Sequence, residues 1–134
     1  MAREARDFQR SKVYAWENET FPHIREEQWT LSQCEAFAKQ LYGARVKIKD
    51  GRGRRSACAH HRRYPTISLP KWARNKWVVA HEVAHLKTRH DLSIPAHGAI
   101  FMGVYLGFLR TCTGVDYTEC AKDYGLKVRS APPV

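Results

Sequence analysis

Trp77-Val78-Val79-Ala80-His81-Glu82-Val83-Ala84-His85 is an apolar run that passes without a break into two histidines four residues apart. At about 100° per residue, positions four apart on an α-helix differ by about 40°, so His81 and His85 leave the same helix face one turn apart. Two imidazoles so placed can share one zinc ion. Glu82, offset by one residue, falls beside that ion but off the ligand axis, where its carboxylate can take a proton from water. A five-residue pattern that fixes three positions also recurs by chance, as ordinary histidines with a solvated glutamate. Here the preceding apolar run predicts a packed face, and polar groups on a packed face require partners. The expected helix runs from about Arg74 to Arg89.

A catalytic zinc site takes three protein ligands and leaves a fourth position open. His90, Asp91 and His97 are the candidates for the third. His90 lies about 140° from the His85 face on a continuing helix. Asp91 needs a glycine turn where this chain has Thr88. His97 follows a break at Ile94-Pro95 and opens His97-Gly98-Ala99-Ile100-Phe101, so a returning helix to about Arg110 aims its first residue at the metal. His97 is therefore preferred.

Upstream, Arg45 to Lys49, Ser56 to His60 and Thr66 to Leu69 read as strands, with Asp50-Gly51 as a turn. Pro65 and Pro70 bracket the last of these, which predicts an edge strand able to hold an extended peptide. Ser32-Gln33-Cys34-Glu35 matches a capping box for a helix closed by Gly43, with Phe37, Ala38 and Leu41 on its buried face. Residues 3–17 carry Phe8, Val13 and Trp16 at approximately helical spacing and predict a docking helix. Asp116 to Glu119 caps a short helix ending at Gly125. The tail 130–134, with Pro132 and Pro133, is expected to be disordered. The class is α+β, with a small, mostly antiparallel sheet of about three strands beside the zinc helices.

The chain has 134 residues, a composition 43% hydrophobic and 11% aromatic, and 23 Lys and Arg against 13 Asp and Glu, a formal charge of +10. That length predicts one domain, over 1–129, and the composition excludes wholesale disorder. No apolar run reaches the roughly 18 residues of a membrane span. The N-terminal stretch does not read as a secretory signal, so a cytoplasmic, monomeric protein with four reduced core thiols, Cys34, Cys58, Cys112 and Cys120, is expected. The charge favours nucleic acid or acidic partners. Arg52, Arg54, Arg55, Arg62 and Arg63 form a candidate nucleic-acid patch, and a solvated hairpin fits the same residues.

His81-Glu82-Val83-Ala84-His85, eleven residues, then His97-Gly98-Ala99-Ile100-Phe101 resembles the SprT-like and related zincins, in which H-E-x-x-H on one helix is completed by H-G-x-x-F or H-G-x-x-W on the next. With Arg6-Asp7-Phe8-Gln9-Arg10-Ser11-Lys12-Val13-Tyr14, most of the chain is similar to small proteins of actinobacteria and their phages classed as metallohydrolases from this motif. The resemblance implies a minimal zincin-like domain, Zn2+ on His81, His85 and His97, Glu82 as base, Phe101 as packing and a protein or peptide substrate. Many SprT-like proteins add a cysteine zinc ribbon that helps bind DNA; this chain lacks it. For an electrophilic partner to the metal, Tyr105 and Tyr64 are the candidates, with a core aromatic the stronger reading of Tyr105. The competing function is a basic nucleic-acid-binding protein in which a fourth ligand, His90 or Asp91, makes the zinc structural.

Overall fold

The structure is a computed structural model that describes residues 6–52, 56–61, 63–89 and 93–129. Its elements in chain order are α1 (Arg10–Thr20), α2 (Leu31–Tyr42), β1 (Lys47–Asp50), β2 (Cys58–His60), β3 (Thr66–Leu69), α3 (Lys76–Thr88), α4 (Ala99–Thr113) and α5 (Thr118–Asp123), with 3-10 turns at Ile24–Glu26 and Lys71–Ala73. The class is α+β, as the sequence predicts. Two compact units divide the chain, one spanning His23–Leu86 and the other joining the residues up to Pro22 to those from Lys87 onward.

In the unit from His23 to Leu86, α2 begins one capping pattern earlier than expected. Thr30, extended at φ −74° and ψ 161°, accepts from the Gln33 amide at 3.1 Å, and Gln33 Oε1 accepts from the Thr30 amide at 2.8 Å. Ser32 and Glu35 fit the same motif but lie inside the helix. The earlier box prevails because the Trp29 amide is already donated to the Arg74 carbonyl at 2.7 Å, which fixes the chain's entry. Gly43 closes α2 at φ 87°, as expected of a left-handed cap.

The sheet corrects three expectations. Its order is β1-β3-β2, with β1 parallel and β2 antiparallel to β3, so it is mixed and not mostly antiparallel. Thr66–Leu69 is the central strand, buried at every residue, and not an edge. Pro65 and Pro70 sit just outside the paired residues, so their missing N–H groups take no bond from the ladder. The Pro65 carbonyl even accepts from the Lys47 amide at 2.9 Å. Nor does Asp50-Gly51 turn a hairpin, because β1 and β2 flank β3 from opposite sides. Register puts Lys47, Lys49, Cys58, His60, Thr66 and Ser68 on one face and Ile48, Ala59, Ile67 and Leu69 on the other. Ile67 and Leu69 are fully buried.

Asn75, itself fully buried, starts α3 by accepting from the Val78 amide at 3.0 Å. Val79, Ala80, Val83 and Ala84 then bury completely, which is the packed face that the apolar run predicts.

In the other unit the first helix is α1, starting at Arg10, so the expected span of 3–17 is shifted; residues 3–5 lie outside the described residues. Val13 and Trp16 bury as expected, but Phe8 precedes the helix and is 75% exposed, with the Arg6 guanidinium over its ring at 4.8 Å. Trp16 meets Phe21, Tyr105 and Tyr117 edge-on, at 5.5, 6.4 and 6.4 Å between centroids. Tyr105 donates to buried Glu17 at 2.6 Å, which satisfies both polar groups inside that aromatic cluster. Tyr117 is the N-cap of α5, and Asp116 just before it accepts from the Thr118 amide at 3.0 Å.

None of the four cysteines is in a disulfide. The expectation of four core thiols holds for Cys34 alone, since Cys58 and Cys112 are half-buried and Cys120 is exposed on the short α5. Among the described residues no helix is long and apolar enough to cross a membrane. The expected tail, 130–134, lies outside the described residues.

Candidate metal centre

Helix α3 carries His81 and His85 one turn apart, and their Nε2 atoms approach to 3.2 Å with ring centroids 4.9 Å apart. Two ring nitrogens with lone pairs repel at that distance unless a proton or a cation lies between them. His97 supplies the third donor. One ring nitrogen from each of the three histidines lies within 4.8 Å of the others, close enough to bind a metal ion. His81 and His97 are each 5% exposed, and His85 is half-buried.

Imidazole donors suit a transition-metal ion, zinc among several. Two imidazole nitrogens about 2.0–2.1 Å from a tetrahedral ion stand about 3.3 Å apart, which the His81–His85 pair meets as it is. Glu82, 5% exposed, follows His81 directly on α3, so a carboxylate accompanies the imidazoles without being one of the three converging ligands.

His97 is held by a residue that sequence reasoning missed. Asp7 Oδ2 lies 2.7 Å from His97 Nδ1, and Asp7 Oδ1 accepts from the His97 backbone amide at 3.0 Å. A carboxylate can only accept, so the contact assigns the proton to Nδ1 and leaves the Nε2 lone pair for a cation. Gln9 Nε2 adds a hydrogen bond to the His97 carbonyl at 3.1 Å. The ring itself lies 5.3 Å from Tyr14 and 5.1 Å from Phe101, centroid to centroid. His97 stands before α4 and is not its first residue as expected, because extended Gly98 is the N-cap; Phe101, in the first turn of α4, is fully buried against the His97 ring. Gly98 completes the turn, since a Cβ there would come within 2.9 Å of the Pro95 side chain.

The only available signal for Asp7 was its place in the stretch Arg6 to Tyr14. Nothing in a linear reading pairs positions 90 residues apart.

Of the two candidate electrophiles, Tyr105 is the core aromatic that its sequence context favours. It is fully buried, and its hydroxyl is committed to Glu17 at 2.6 Å. Tyr64 is 48% exposed on the connection between β2 and β3, where its hydroxyl accepts from Lys47 Nζ at 3.1 Å. That bond, then the charges of Lys47, Lys49 and Arg45, hold the phenol below its ordinary pKa. Of the arginine group, Arg52 and Arg63 are exposed, Arg52 lying 3.9 Å from Asp50. Arg54, Arg55 and Arg62 lie outside the described residues, as do His90 and Asp91.

No protein-family model, curated protein or solved structure matches this chain.

Proposed function

We propose that this chain is a zinc-dependent metallohydrolase of the zincin kind, acting on protein or peptide substrates. One observation supports the reading above all others: three imidazoles converge, with a buried carboxylate one residue from the first of them. In this reading His81, His85 and His97 hold the ion. Bound zinc supplies Lewis acidity toward a carbonyl oxygen and makes neighbouring water easier to deprotonate.

The chain's own groups do the rest. Glu82 accepts the proton of the attacking water at its carboxylate and returns it to the leaving amine. Burial keeps that carboxylate away from bulk water. Asp7 maintains His97 in the Nδ1-protonated tautomer, so that the ligand nitrogen stays available through turnover.

Metal analysis of the purified chain, combined with cleavage of an unfolded protein such as casein, tests the proposal. The expected result is one zinc per chain, lost on replacing His81, His85 or His97 by Ala. Glu82→Gln should keep the metal and lose about 10²- to 10⁴-fold in cleavage, the usual contribution of a general base. Zinc without hydrolysis would move the reading to a structural metal in a nucleic-acid-binding protein. Full zinc in His97→Ala, together with its loss in Asp91→Ala, would replace His97 as third ligand.

A further inference from the structure

The alternation of β1, β2 and β3 leaves one sheet face with no aliphatic side chain. Its cross-strand rows are Lys47, Thr66 and His60, then Lys49, Ser68 and Cys58. Thr66 and Ser68 form a buried floor, and the face opens into a cavity of about 710 Å³ walled by Lys49, His60, Arg63 and Tyr64. Arg45, Lys47 and Tyr64 line a second cavity of about 390 Å³. Tyr64 is common to both. Each volume falls within the roughly 300–1,000 Å³ of small-molecule sites, enough for one flat ring with its substituents.

Cations predominate on this surface. Among the described residues Arg45, Lys47, Lys49 and Arg63 surround the cavities, and two carboxylates accompany them, Glu35 at 3.9 Å from Arg45 and Asp50 at 2.9 Å from Arg74. Tyr64 is half-exposed, and Lys47 Nζ is fixed both on its hydroxyl at 3.1 Å and 5.4 Å from its ring centroid. The result is an aromatic platform with cations spaced around it. Phosphates answer the cations, and an unstacked base answers the ring. A duplex keeps its bases stacked and cannot reach a ring set between two cavities, while an acidic peptide has no use for the platform.

We propose that the polar sheet face binds single-stranded nucleic acid, with Lys47, Lys49 and Arg63 on the phosphates and Tyr64 stacked on a base. The surface shares Arg63 with the candidate arginine group but draws its other contacts from the strands and Tyr64, and it uses none of the three histidines.

Fluorescence anisotropy with labelled oligothymidylate and oligouridylate of about 12 nucleotides, within the usual span of a single-strand site, tests it on the full chain. Binding is expected at about 50 mM salt, weakening steeply as salt rises. Lys47→Glu with Lys49→Glu should weaken binding at least about tenfold and flatten the salt slope by about one unit or more. Lys122→Glu with Lys127→Glu, the same charge change at exposed positions elsewhere, should cost less than about twofold if the site is local. Tyr64→Ala should cost at least about fivefold, the lower end for a stacked base, and Tyr64→Phe, which keeps the ring, less than about twofold. Circular dichroism and zinc content that match the wild type show that each variant is folded. Preference between the DNA and RNA strands identifies the natural source, and either preference supports the site.

Four results would overturn it. They are no binding at low salt, equal losses from the control pair, no effect of Tyr64→Ala, and equal competition by polyglutamate or by a duplex of the same length.

Discussion

Asp7 reaches His97 through both carboxylate oxygens, one on the ring and one on the backbone amide, so it sets the tautomer and the position of that imidazole together. Asp7→Asn keeps an acceptor but loses the negative charge that favours a ligated ring. Metal affinity, measured by competition with a chelating dye, should fall about 10- to 100-fold, and Asp7→Ala should lose at least as much. An unchanged affinity in both would make Asp7 a tether for the N-terminal segment and nothing more. Cys34 makes a second residue-scale case. It is fully buried, and burial pushes its thiol from 9.0 up to about 11, against a smaller opposing pull from Arg74. The folded chain therefore holds that proton more tightly than the unfolded chain. The stability is fully present below about pH 9 and is lost as pH rises through 9 to 11, by about 2–3 kcal/mol in all. Urea midpoints between pH 8 and 11 should fall more steeply in wild type than in Cys34→Ala, and a thiol reagent at pH 8 should label exposed Cys120 well before Cys34. Parallel pH slopes would refute the shift. At this scale the sequence was legible where chemistry is local. His81 and His85 follow from four-residue spacing, whereas Asp7 and the Glu17–Tyr105 pair are bonds across 90 and 88 positions that no periodicity encodes.

Strands were found in the sequence but their arrangement was not. Thr66 to Leu69 has strand-forming residues in the expected place, but its flanking prolines do not mark an edge. Proline is excluded from a central strand only at positions whose N–H enters the ladder, and both prolines here lie outside it. Gly51 shows the related constraint. It prolongs the β1 pairing by donating to the Leu69 carbonyl at 3.0 Å, and a Cβ would stand 2.6 Å from the Pro70 nitrogen and 2.8 Å from the Leu69 carbonyl carbon. Those are backbone atoms with no rotamer to yield. Gly51→Ala should therefore destabilise by about 1–3 kcal/mol, by displacing the strand end. Gly107, exposed within α4 and with nothing within 4 Å of where a Cβ would stand, should respond in the opposite sense. Gly107→Ala gains the helix preference of alanine and should stabilise by about 0.5–1 kcal/mol. Chemical denaturation of the two variants checks both signs, and a stabilised Gly51→Ala would contradict the strand contact.

At the scale of the whole molecule, composition predicts enough core for one domain, but it has no means of seeing that the segment before Pro22 packs with the chain after Lys87. No linker or change in composition marks that arrangement, because one of the two units is assembled from separated stretches. Metal binding offers a test of the complete fold. The unfolded chain scatters His81, His85 and His97, so an ion that takes all three binds the native state almost exclusively. Stability then rises as RT ln(1 + [Zn]/Kd), about 2.7 kcal/mol at a hundredfold excess over Kd. For a chain of this length that is a rise of about 10 °C in the unfolding midpoint. The wild type should show the rise on adding zinc and lose it to a chelator. His97→Ala should keep the basal midpoint to within a few degrees of the metal-free wild type and gain nothing from zinc. Glu82→Gln should gain as much as wild type, because the carboxylate is not one of the three converging ligands. A zinc-dependent rise that survives in His97→Ala would mean that the ion is held by His81 and His85 with some other partner, and the three-histidine site would have to be given up.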